Sequence, residues 1–215
     1  MQEIIIKTQE YVKSILKNEF TGHDYYHAIR VKNIANKISQ TEGGNMFIIN
    51  IASLLHDVID DKIQDSLNVN CQKFNDFFNS LNIDKQTKEE ILYIMNNMSF
   101  SKMLLSEINI TKELAIVSDA DKIDSLGAIG IARTFAFGSK VNNKIYDPEI
   151  LPEINLTQEE YKRKGRITTS LNHFDEKLLQ LDKYLLTGTG KEIARSRIEF
   201  IRQFKEQFLS EWNYC

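Results

Sequence analysis

The stretch "IASLLHDVIDDK", Ile51 to Lys62, runs almost wholly apolar for five residues and then turns abruptly polar. His56 and Asp57 close the apolar run, and Asp57, Asp60 and Asp61 put three carboxylates into five positions. An imidazole and a carboxylate at the end of a buried helix are costly unless each has a partner. Either they pair with neighbouring groups or they hold something.

The pattern around this stretch is helical throughout. Apolar residues recur every three or four positions, and strand-like alternation is scarce. The spacing predicts helices over 2–18, 24–40, 45–59, 70–80, 86–97, 111–134, 157–187 (a stretch that can be broken) and 189–212. The expected fold class is therefore all-α. Both prolines, Pro148 and Pro152, fall in "YDPEILPEIN", inside a non-helical segment from Gly138 to Leu156 long enough to be a binding loop or lid. No repeat, low-complexity tract or linker is visible in the 215 residues, so one domain over 1–215 is expected. Its core would span about 20–135, completed by the loop and C-terminal helices of about 138–215.

Two further stretches carry polar groups on core-facing stripes. In "TGHDYYHAIRVKNIANKI", Thr21 or Asp24 can cap a helix on which His27, Val31, Ile34 and Ile38 share one face. His23 lies one turn earlier, on roughly the same side. In "ELAIVSDADKIDSLGAIGIAR", Leu114, Val117, Asp121, Asp124 and Ala128 follow the same steps. Gly127 and Gly130 cost roughly 1 kcal/mol each relative to alanine inside a helix, which points to close packing.

His27, His56, Asp57 and Asp121 thus point inward from three helices. Two imidazoles and two carboxylates suit a divalent ion that accepts mixed nitrogen and oxygen ligands. Taken singly, each has a plainer reading. His27 fits a hydrogen-bonded core histidine, Asp121 a partner of Lys122 or Arg30, and His56-Asp57 a chance dipeptide. Their adjacency is awkward on a regular helix, where neighbours diverge by about 100°. At a helix C-terminus the two can converge.

The pattern His27-x-x-Arg30-Val31, then "LLHDVIDDK", then "DADKID" resembles the HD-domain metal-dependent phosphohydrolases. "TGHDYYHAIRV", "NNMSFSK", "VSDADKIDSLGAIGIARTFAFGS", "LNHFDEKLLQL" and "ARSRIEFIRQFKEQFLSEW" are similar to one branch of them. That branch comprises small bacterial proteins resembling (deoxy)nucleoside triphosphate pyrophosphohydrolases. The resemblance implies a single-domain helical bundle of HD type with His27, His56, Asp57 and Asp121 as metal ligands. It implies attack by metal-bound water on a nucleotide, releasing monophosphate and pyrophosphate. Mn²⁺ is the favoured ion, with Fe²⁺, Co²⁺, Zn²⁺, Ni²⁺ and Mg²⁺ as alternatives. Only four histidines occur, and two-metal branches use more, so a mononuclear site is expected.

The remaining assignments follow from that site. Asp60 and Asp61, four residues after His56 and Asp57, are placed to orient or deprotonate the water, and look like a shortened form of the family's Glu-Asp. A solvated turn is their plainer reading. A triphosphate needs cations, and Lys62, Lys122, Arg133 and Lys177, with His23, are the expected substrate-binding residues. His173, like His23, can contact phosphate or transfer a proton, and reads nearly as well as a core histidine beside Phe174. Phe135 reads as core. Ile198, Ile201, Phe204, Phe208 and Trp212 form a stripe for the core or a homodimer surface. A nucleotidase, an alarmone hydrolase and a non-catalytic metal-binding regulatory module are the competing readings.

Composition narrows the class. Net charge is −3, which argues against nucleic acid as the partner. No apolar run approaches membrane-spanning length. Two cysteines and no signal-peptide pattern make a cytoplasmic location the expectation.

Overall fold

The structure is a computed structural model describing residues 1–19, 22–58, 67–98, 108–161, 163 and 165–213. It is all-helical, as expected, with no strand among the described residues beyond an isolated bridge between Lys144 and Thr169. The helices are α1 (Gln2–Leu16), α2 (Tyr25–Glu42), α3 (Met46–Leu55), α4 (Leu67–Ser80), α5 (Lys85–Asn97), α6 (Lys112–Asp124), α7 (Gly127–Lys140), α8 (Gln158–Tyr161), α9 (Asn172–Glu176) and α10 (Gly188–Trp212). A 3₁₀ turn, Leu178–Tyr184, joins α9 to α10. None of the helices is long and apolar enough to cross a membrane. Contacts group the chain into two compact units, Met1–Asp121 and Lys122–Cys215.

In the first unit α3 is the central element. Residues Ile48 to Leu55 are all buried, and α1, α2 and α5 pack around them. A helix apolar on every side is stable only when surrounded. Its start is fixed by Asn45, whose side chain accepts from the amides of Phe47 and Ile48. Asp24 caps α2 by accepting from the His27 amide, and Asp84 caps α5 by accepting from Thr87. Such caps satisfy donors that have no partner inside the helix. α1 adds Tyr11, stacked on Phe77 at 3.8 Å. Burial pushes its phenol up to about 12.

The second unit holds an aromatic cluster. Phe135 lies within 5.9–6.4 Å of Phe174, Phe204 and Phe208, and Tyr146 packs edge-on to Phe208 and Trp212. The proline segment is tied down at its start, where Ser170 and Leu171 donate amides to the carbonyls of Lys144 and Ile145. Asn172 donates to the Ile150 carbonyl, and Arg166 pairs with Glu153 and the buried Glu176.

Two elements differ from the periodic pattern. The helix expected over 111–134 is two helices, broken at Ser125–Leu126. Gly127 takes φ +72, a conformation that disfavours any side chain. A Cβ there would meet Arg197 Cγ at 3.2 Å, and Arg197 uses that space to donate to the Ile123 carbonyl at the end of α6. A Cβ at Gly130 would come within 2.0 Å of the Ser125 carbonyl, so the close packing expected of these glycines is partly against the break itself. The second difference is 157–187, whose described residues hold only the short α8, α9 and the 3₁₀ turn as helix.

Candidate metal centre

Three helices of the first unit bring the four expected donors together. His27 lies on the first turn of α2, fully buried. His56 is the C-cap of α3, and Asp57 follows on the turn that Val58 closes by donating to Leu55. His56 keeps helical backbone angles, φ −56° and ψ −34°, so the two neighbours still diverge at the backbone, and it is the reach of the imidazole that brings its Nε2 to 3.4 Å from Asp57 Oδ1. Asp121 projects from α6, with 36% of its side chain exposed.

The donor atoms converge. His27 Nε2 lies 3.1 Å from His56 Nε2, 3.2 Å from Asp57 Oδ2 and 3.5 Å from Asp121 Oδ1. His56 Nε2 lies 3.4 Å from Asp57 Oδ1 and 3.7 Å from Asp121 Oδ1. Ligands at 2.0–2.2 Å from one ion stand about 3.0 Å apart at right angles and about 3.4 Å apart in a tetrahedron. The observed separations, 3.1–3.7 Å, lie around the tetrahedral spacing and just above the right-angle one, and the mixed donor set fits a divalent transition ion. His56 is turned for this. Its Nδ1 donates to the Ser53 carbonyl at 2.8 Å, which leaves the Nε2 lone pair facing the other donors.

The electrostatics demand positive charge at the same point. Burial would lower the His56 pKa, but Asp57 and Asp121 outweigh it and raise the imidazole above its usual value. Burial would raise Asp57, but His56 and the hydrogen bonds from His23 and His27 hold it well below the carboxylate range. Asp121 is likewise held low against its desolvation, by hydrogen bonds to His27 and His56 and by their charge.

The remaining expected residues are distributed as follows. His23 Nδ1 lies 2.8 Å from Asp57 Oδ2, so it sits against a proposed ligand. Asp60, Asp61 and Lys62 fall outside the described residues. Lys122 is buried and opens the second unit. Arg133 donates to Asp124 Oδ2 at 3.0 Å, with Asp124 almost wholly buried, so this guanidinium neutralises an interior carboxylate. Lys177 is exposed at the end of α9. The Ser53 carbonyl that orients His56 is a backbone group and leaves no mark in the sequence beyond its i−3 spacing.

The HD domain family model matches residues 24–126, a span containing all four donors. YpgQ of Bacillus subtilis, an uncharacterised protein, is 32% identical over 198 residues, covering 92% of this chain and 88% of that one. A Bacillus thuringiensis protein described as an HD-superfamily hydrolase is 41% identical, with TM-score 0.74 over 100% of this chain and 99% of that one. The chain belongs to the HD family. Its general class is that of HD-superfamily hydrolases, metal-dependent phosphohydrolases. Within the HD fold a Lactobacillus plantarum structure is similar at TM-score 0.87 and 32% identity, covering 100% of this chain and 99% of that one. A crystal structure of YpgQ in complex with ADP, 28% identical, gives TM-score 0.76 over 98% of both chains.

Proposed function

We propose that this HD protein cleaves nucleoside triphosphates to the monophosphate and pyrophosphate, with His27, His56, Asp57 and Asp121 holding one divalent ion, Mn²⁺ by preference. The observation that carries the reading is the convergence of two imidazole nitrogens and two carboxylates within 3.1–3.7 Å. The nucleotide part draws on the ADP held by YpgQ. A divalent ion in such a site supplies Lewis acidity and lowers the pKa of water. His56, oriented by Ser53, keeps its Nε2 free of a proton when the ion is bound. Asp60 or Asp61 orients the attacking water and accepts its proton. Lys62 and Lys122 meet the charge that develops on the departing pyrophosphate, an electrostatic stabilisation that favours this bond over the terminal one. Lys177 and the donors of Arg133 not spent on Asp124 serve as further phosphate partners.

The test is a panel of nucleotides with Mn²⁺, detecting orthophosphate and pyrophosphate separately in ¹⁸O-water. The label is expected in the nucleoside monophosphate. Label in orthophosphate, with the diphosphate as product, overturns the bond assignment. Turnover of monophosphates alone identifies a nucleotidase instead.

A further inference from the structure

Three of the four donors are held by their surroundings or their helix. His27 is enclosed on α2, His56 is tethered to Ser53, and Asp121 rises from α6. Asp57 is different. It stands buried past the end of α3 on a turn, where its short side chain is set by what packs against it from outside α3. Besides His27, itself a proposed ligand 3.2 Å from Oδ2, the group that reaches it is His23, 34 residues away in sequence, with Nδ1 2.8 Å from the same oxygen. An ionised carboxylate only accepts, so Nδ1–H donates. His23 is set in place by the start of α2. It precedes the Asp24 cap, and the cap bond from the His27 amide, 2.8 Å, fixes both histidines to one turn of chain. Their rings meet edge to face at 5.4 Å and 76°.

Resting on the metal reading above, we infer that His23 is a positioning residue that clamps the Asp57 carboxylate and so tunes how tightly the site holds its ion. His23, His27 and Asp57 also form a three-donor group, which raises the competing idea of His23 as a ligand. The 2.8 Å contact is a hydrogen-bond distance, and exchange of His23 for asparagine separates the two roles, since an amide can donate to Asp57 but cannot replace an imidazole ligand. Partners of this kind typically change metal affinity about 10–100-fold.

The experiment measures Mn²⁺ affinity by electron paramagnetic resonance titration of wild type, His23→Ala and His23→Asn. The asparagine amide nitrogen stands where Nδ1 stands, so it restores the donor without restoring an imidazole. Expected are an about 10–100-fold loss in His23→Ala, near wild-type affinity in His23→Asn, and in EDTA a cooperative unfolding transition for all three, with the His23→Ala midpoint lowered by no more than the few degrees one lost hydrogen bond costs. Equal losses in both variants overturn the inference in favour of a ligand role, and undiminished affinity in His23→Ala overturns it outright. Wild type that fails to bind Mn²⁺ overturns the metal reading, and this inference with it.

Discussion

His173 offers a measurement that needs no substrate. It lies in α9 with Arg166 and Lys177 as cationic neighbours, and burial, reinforced by those charges, pushes its pKa down to about 3. In the unfolded chain the imidazole titrates near 6.5. Between these values the unfolded state binds a proton that the folded state refuses, so stability falls as pH drops through the window and is insensitive to His173 above it. Going from pH 7.5 to 5.0, the full shift would remove about 2 kcal/mol. The side chain keeps some solvent exposure, which screens the effect, and about 1 kcal/mol is the working figure. His173→Gln retains a polar side chain and abolishes the titration. Urea denaturation of both proteins in EDTA at the two pH values gives the double difference, in which other titrating groups cancel. Wild type should lose about 1 kcal/mol more than the variant. Parallel losses would show that His173 is solvated enough to titrate normally, and the reasoning from burial fails.

Three other outcomes are expected. His56→Ala and Asp57→Ala should each lose metal and phosphohydrolase activity together, and full metal occupancy by elemental analysis in both would refute the ligand assignment. Asp60→Asn and Asp61→Asn should keep the metal, while at least one loses roughly 10²–10⁴-fold in turnover, the range of a positioned acid or base; wild-type turnover in both would return these acids to a solvated turn. Gly127→Ala should cost about 1–2 kcal/mol, because its left-handed backbone and the 3.2 Å approach of Arg197 both oppose a methyl group. That is a fall of about 2–8 °C in thermal midpoint, and an unchanged midpoint would mean the break at Ser125–Leu126 does not depend on the glycine.

The helices around the site are legible in sequence because burial and helical periodicity coincide there. α3 is apolar on all sides, and His27 interrupts a stripe whose other members are aliphatic. The polar residue on a buried stripe is the signal, and the spacing carries it. The break between α6 and α7 is not legible in the same way. The 3.6-residue period continues through Ser125, and only a backbone angle at Gly127 shows that the chain has turned. The contact between His23 and Asp57 joins positions whose relation exists only after folding, and neither residue's neighbours announce it. Arg133 illustrates a different loss: a cation expected to meet phosphate is engaged by a buried carboxylate nine positions away, a demand that hydropathy reading does not register.

The bond from His56 to the Ser53 carbonyl has a practical consequence for anyone needing an inert form of this protein. That carbonyl belongs to the last turn of α3, where oxygens lack a partner inside the helix. The imidazole therefore finishes the most buried helix of its unit while presenting its other nitrogen to the donor cluster. An alanine at 56 removes a hydrogen bond worth about 0.5–1.5 kcal/mol as well as a donor. A silent preparation of that variant would confound fewer folded molecules with idle ones. Asp121→Asn removes a charge on a partly exposed side chain, preserves its shape and leaves the helix end intact, and is the better decoy for trapping whatever the site binds.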